Sequence, residues 1–239
     1  MVDLHLPIIF GLIAPLFWLF FFLFEDKEHP EPKFMILLVF IGGAISAFFA
    51  LGPELVLNSA FPQTGMPYES NLLVPFAFIE EFAKFAVVFL IIKYSKYFDE
   101  RVDAMVYMIT AALGFAAVEN IFTLFSVLEL HVIIETTIVR GIGATLLHAV
   151  ASGILAFYWV RKRPILGLTS AAFLHTLFNY LILRIEGDAK VYATLMLVVA
   201  AFFLFRDFEI LKAAAPKEHF VKHKDILAPV KSRSSRTGL

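Results

Sequence analysis

The segment Phe78–Ala86 reads FIEEFAKFA, so Glu80, Glu81 and Lys84 fall inside Leu72–Ile92, a run that is otherwise almost wholly apolar. An ionised side chain at the middle of a bilayer costs roughly 3 kcal/mol or more, so such residues mark pathways or sites. Glu80 and Lys84 stand at i,i+4 and Glu81 and Lys84 at i,i+3, within reach of each other on a helix. Further along the chain, three other apolar runs carry Glu119–Asn120, His148 with Ser152 four residues on, and His175 with Asn179 four residues on. Spacing of four puts each pair on one helix face.

Three glutamates and two histidines can activate water in two ways. A carboxylate can take a proton from water while a His and an Asn donate to the developing oxyanion, a pairing that suits His175 and Asn179. Alternatively, Glu119, His148 and His175 can hold zinc, with a glutamate of the 80–81 pair as base. The helical zinc signature H-E-x-x-H is missing, so zinc would take its ligands from separate helices. Plainer readings exist: an interhelical ion pair for Glu80, Glu81 and Lys84, and a simple hydrogen bond across a bundle for each histidine. Asn120 and Ser152 can each bond backbone. Arg140 suits a snorkelling anchor as well as a site residue. Five other histidines, at positions 5, 29, 131, 219 and 223, fall in termini or loops and are expected to be solvated.

The elements that position these residues follow from composition. Of 239 residues, 60% are hydrophobic and 17% charged, where a soluble domain is about 45–50% apolar. The excess lies in long blocks. This predicts an all-α polytopic membrane protein of about seven transmembrane helices: Leu6–Phe24, Phe34–Leu57, Leu72–Ile92, Ala104–Leu128, Ile138–Val160, Ile165–Leu183 and Val191–Phe205. The third to sixth form the core bundle. Residues 1–205 make the transmembrane domain, with the site within 72–183, and 206–239 a basic, partly disordered cytoplasmic tail. The first block has neither a basic flank nor a cleavage site, so it reads as a retained helix and not a signal peptide. With no cysteine, disulfides, thiolate metal sites and cysteine nucleophiles are excluded.

Sixteen of the twenty Lys and Arg fall in the first, third and fifth connections and the tail. The positive-inside rule then places the N-terminus outside and the tail in the cytoplasm. The basic tail is expected to touch anionic lipid and no nucleic acid. With alternating helices, Glu80, Glu81, Glu119, His148 and His175 come to a similar depth from four different spans.

These residues resemble the PrsW-type intramembrane proteases. EEFAK, residues 80–84, resembles the family's E-E-x-x-K motif. YFDERVDAMVY followed by LGFAAVEN resembles F-D-E-x-x-D and F-x-x-x-E-N, on Phe98, Asp99, Glu100, Asp103, Phe115, Glu119 and Asn120. VRGIGATLLHAVASG resembles the stretch with an Arg two turns before a motif His, here Arg140 and His148, and FLHTLFN resembles H-x-x-x-N/D, here His175 and Asn179. The match runs in order from Ile79 to Asn179. Related CAAX-prenyl endopeptidases carry E-E-x-x-x-R and F-x-x-x-H, and Lys84 and Glu119 set this chain with the PrsW branch. One departure is Ser152, where the pattern has glycine; Gly153 follows it.

The resemblance implies an endopeptidase acting on a membrane-embedded or membrane-adjacent protein or peptide, as with family members that cleave anti-sigma factors. It implies Glu80 or Glu81 as the water activator, Glu119 and His148 completing the proton or metal site, His175 and Asn179 at the oxyanion, and Lys84 tuning the acids. The family is labelled a metalloprotease while its relatives are argued to use glutamate without metal. The other class that needs buried Glu and His is a proton-coupled transporter or ion-binding membrane protein. Transporters more often show repeated halves and broken helices, and neither is visible here.

Overall fold

The computed structural model describes residues 5–24, 27, 29–61, 70–185 and 189–213. Among them there is no strand. The helices are α1 (His5–Leu23), α2 (Lys33–Ala60), α3 (Ser70–Ile92), α4 (Asp103–Phe125), α5 (Leu130–Arg140), α6 (Leu146–Val160), α7 (Pro164–Arg184) and α8 (Ala189–Ala213). A π turn, Gly141–Thr145, joins α5 to α6, so Leu130–Val160 is one rod of 31 residues. That gives seven rods, of which five are long and apolar enough to cross a bilayer by length and composition alone. The chain is an all-α polytopic membrane protein. α3 has spanning length, 23 residues, but carries the Glu80, Glu81 and Lys84 charges.

α4 is the central post. From Asp103 to Ala117 every residue is buried. Its run of Ala and Gly lets neighbouring backbones come close, the usual device where no hydrophobic effect drives helices together in lipid. A Cβ on Gly43 of α2 would overlap the Ala111 carbonyl, and one on Gly114 would overlap that of Phe40. These two glycines lock α2 against α4. Gly11 of α1 packs against Ile121 on another side. Large apolar side chains on α1, α2 and α8 point outward, among them Phe17, Phe20, Phe49 and Phe202, as lipid-facing residues should.

The end of the bundle where the basic connections lie is tied by polar contacts. Asp103 Oδ2 accepts the backbone N–H of Asp99 (2.9 Å) and of Glu100 (2.7 Å). Tyr107 donates to Glu31 and, at 3.3 Å, to the Tyr97 carbonyl. Phe98 is buried and stacks on Trp159 at 5.8 Å. The F-D-E-x-x-D segment thus builds the entry to α4.

Most boundaries fall within three residues of the sequence expectation, and two differ by eight. The fifth span begins at Leu130 and not Ile138. His131, Glu135, Thr136 and Thr137 break its apolar pattern, yet Ile133 is fully buried and Thr137 caps the Ile133 carbonyl at 2.8 Å. His131, expected in a loop, therefore sits in a helix with an exposed side chain. The last helix runs to Ala213, past Phe205, because Leu204, Phe208 and Leu211 continue a buried stripe at helical spacing. The rest of the expected tail, 214–239, lies outside the described residues.

Gly43→Ala and Gly114→Ala are each expected to lower the thermal stability of purified protein by about 1–3 kcal/mol through overpacking. Gly52→Ala, where a Cβ meets nothing within 4 Å, should not. Thermal unfolding in detergent reads the difference.

Candidate active site

The core of the site is a charged pair without solvent. Lys84 and Glu81 are both fully buried, and Lys84 Nζ donates to Glu81 Oε1 at 2.7 Å. Their i,i+3 spacing on α3 makes the contact local. The ammonium also donates to His148 Nδ1 at 2.9 Å and lies 4.6 Å from the centroid of the Phe115 ring. Lysine has only protons to give, so His148 Nδ1 accepts, and its proton resides on Nε2. Nε2 donates to Glu119 Oε2 at 2.7 Å. One cation on α3 thereby sets the tautomer of a histidine on α6 and aims it at an acid on α4.

Glu81 is saturated. Its Oε1 also accepts from His175 Nδ1 at 3.0 Å, and its Oε2 from Ser152 Oγ at 3.0 Å. Fixing His175 through Nδ1 leaves the Nε2 lone pair free, and this nitrogen faces Glu80 Oε2 at 3.8 Å. Glu80 Oε2 is buried with no hydrogen-bond partner. The two adjacent glutamates are therefore unlike: Glu81 organises, and Glu80 keeps an unengaged oxygen.

Glu119 is also held from its other side. Arg140 Nη2 lies 3.5 Å from the same Oε2 that His148 holds. Arg140 Nε donates to Asn120 Oδ1 at 2.6 Å, and Asn120 Nδ2 donates to Thr145 Oγ1 at 3.0 Å. Arg140 and His148 are eight residues apart, which on a regular α-helix separates them by about 80°. The π turn between them rotates less per residue and brings both onto one acceptor, as π bulges at functional sites often do. Trp18 of α1 donates to the carbonyl of Gly141, inside that turn, at 2.8 Å.

The structure thus brings Glu80, Glu81, Lys84, Glu119, His148 and His175 from α3, α4, α6 and α7 into one cluster. The His148 and His175 rings are 5.0 Å apart. Asn179, one turn beyond His175, is half-buried and makes no side-chain hydrogen bond among the described residues. Ser152 and Asn120 bond side chains, not backbone, and Arg140 belongs to the site. Sequence reasoning missed Thr145 and Glu54. Glu54 carried a signal: it continues the inward stripe of α2, Val39, Gly43, Ser46 and Ala50.

One atom each from Glu80, His148 and His175 lies within 4.8 Å of the others, a grouping that could hold a metal ion. The unpartnered Glu80 Oε2 and the free His175 Nε2 fit that use, and a two-His, one-Glu donor set suits catalytic zinc. A carboxylate on the far nitrogen of a ligating histidine, as Glu81 is on His175, is a usual support. His148 joins only by giving up Lys84 or Glu119. Glu119, expected among the ligands, instead accepts from His148. A group at the basic end, Glu31, Asp99 and Asp103, is all carboxylate and lies apart from the histidines.

Comparison with known proteins bears on this arrangement. A profile described as PrsW family intramembrane metalloprotease matches residues 31–205, which include all of the clustered side chains. The chain belongs to the PrsW family of intramembrane proteases. It is 31% identical to a Protease PrsW of Geobacillus kaustophilus over 175 residues, 70% of this chain and 75% of that one. It is 24% identical to the Protease PrsW of Oceanobacillus iheyensis over 210 residues, 84% of this chain and 94% of that one. With that of Bacillus subtilis the identity is 31% over 153 residues, 64% and 67% of the two chains. No solved structure matches the chain. The PrsW match begins after α1, whose Trp18 nevertheless touches the π turn.

Removing one partner of a fully buried ion pair leaves an uncompensated charge. Lys84→Met is expected to cost about 3–5 kcal/mol of stability, and the double variant Glu81→Gln/Lys84→Met to recover most of it. Thermal unfolding of the purified variants tests this.

Proposed function

We propose that this PrsW-family protease hydrolyses peptide bonds of membrane-associated substrates with Glu80 as the proton-transfer group. The observation that carries the reading is the asymmetry of the glutamate pair, Glu81 holding three donors and Glu80 Oε2 holding none. Glu80 takes a proton from water as the resulting hydroxide adds to the scissile carbonyl. The C–N bond then breaks as Glu80 returns that proton to the leaving amine. His175, held by Glu81, keeps its Nε2 beside Glu80 and orients the water. Asn179, unpaired and on the same face of α7, donates to the oxyanion. His148 and Glu119 form the opposite wall, with Lys84 fixing the imidazole and Arg140 the carboxylate.

In the alternative, metal-dependent form, Glu80, His148 and His175 are the residues that would hold zinc, and Glu80 would then be a ligand and not the base. Bound there, zinc would supply Lewis acidity and lower the pKa of water. The orientation inferred from Lys and Arg placement sets the site near the middle of the spans, with the tail cytoplasmic. The substrate is a membrane protein or peptide reaching the cluster through lipid.

Glu80→Gln should abolish cleavage while leaving thermal stability near native, whereas His175→Ala should abolish cleavage and also lower stability, because it leaves a cavity and takes a donor from buried Glu81. Glu81→Gln should lose both activity and stability. A single-span peptide library in proteoliposomes, read by mass spectrometry, measures the first; cleavage surviving Glu80→Gln refutes the assignment. Metal content and activity before and after chelation test the zinc reading. A proton flux without cleavage in the same liposomes would favour the transporter reading.

A further inference from the structure

α2 carries one acid that the reaction above does not use. Leu51, Gly52, Pro53, Leu55 and Val56 are all exposed, whereas Glu54 turns inward on the stripe that Ser46 and Ala50 begin. Its Oε1 is buried and has no hydrogen-bond partner. Glu119, Lys84 and Glu80 lie within electrostatic reach of it. Glu54 therefore faces the catalytic cluster from a fifth helix. Lys84 is committed to Glu81 and His148, and Arg140 to Glu119 and Asn120. Among the described residues, no ion pair is formed by Glu54 itself. Pro53, lacking an N–H, frees the helix from one backbone bond beside it, and a Cβ on Gly52 would meet nothing within 4 Å. An acid turned toward an acid-rich cluster, with one oxygen left unbonded, lacks a positive donor.

We propose that Glu54 is a specificity-determining residue that receives a basic side chain, Lys or Arg, of the substrate close to the scissile bond. This rests on the protease reading above. A half-buried carboxylate that gains its cation only when substrate binds favours substrates that bring one, because charge pairs shielded from water discriminate against neutral competitors. The substrate's cation also relieves the repulsion between Glu54 and Glu119.

The test uses the full chain in liposomes with a library of single-span peptides randomised through one half of the span, cleavage sites being read by mass spectrometry. With native protein, Lys and Arg should be enriched within a few positions of the cut. Glu54→Gln should lower the basic-to-neutral preference by roughly tenfold or more, and Glu54→Lys should turn it toward Asp and Glu. Cleavage by native protein without basic enrichment, or an unchanged preference in both variants, overturns the proposal while leaving the protease reading intact. Native protein that cuts no more than Glu80→Gln overturns both.

Discussion

Everything at the centre of this protein hangs on burying one ammonium in a hydrocarbon-depth core. Lys84 is sealed from solvent, so its donors go to Glu81 and His148, and the face of Phe115 covers it. Each of those contacts fixes something else. Glu81, once paired, holds the Nδ1 of His175; His148, once accepting, presents a proton to Glu119. A charge that is expensive in lipid becomes the device that sets two histidine tautomers without further help.

The burial also explains why adjacent glutamates do different work. Neighbours on a helix point about 100° apart. One points at Lys84, Ser152 and His175, and the other at the histidine nitrogen that Glu81 leaves free. The environment divides identical carboxyls into one held by three donors and one with an unengaged oxygen. Ser152, where the family pattern has glycine, adds a donor to Glu81 in this chain. Gly153, on the adjacent face, lets α8 approach instead: a Cβ there would run into Leu204.

Much of this was legible in the sequence, because lipid makes polar residues conspicuous. Glu80, Glu81, Lys84, His148 and His175 stand out against apolar neighbours, and alternation of spans brings them to one level. What the sequence hid has physical causes. The π turn has no signature beyond Gly141 and Gly143, yet it decides that Arg140 points at Glu119. The division between Glu80 and Glu81 depends on interhelical angles that spacing within one helix does not fix. Glu54 sits near the end of a long apolar run, where an acid reads as a boundary. Polar residues in α5 masked a helix that a single buried isoleucine anchors.

α1 contributes no acid, base or ligand and precedes the part shared with the PrsW profile. Even so, the indole of Trp18 holds the Gly141 carbonyl, and Gly11 lies against Ile121, next to Asn120. An outlying helix that brings nothing to the cluster thus acts as a splint on the π turn, and a change in α1 would reach Arg140 and Glu119 through the backbone it braces.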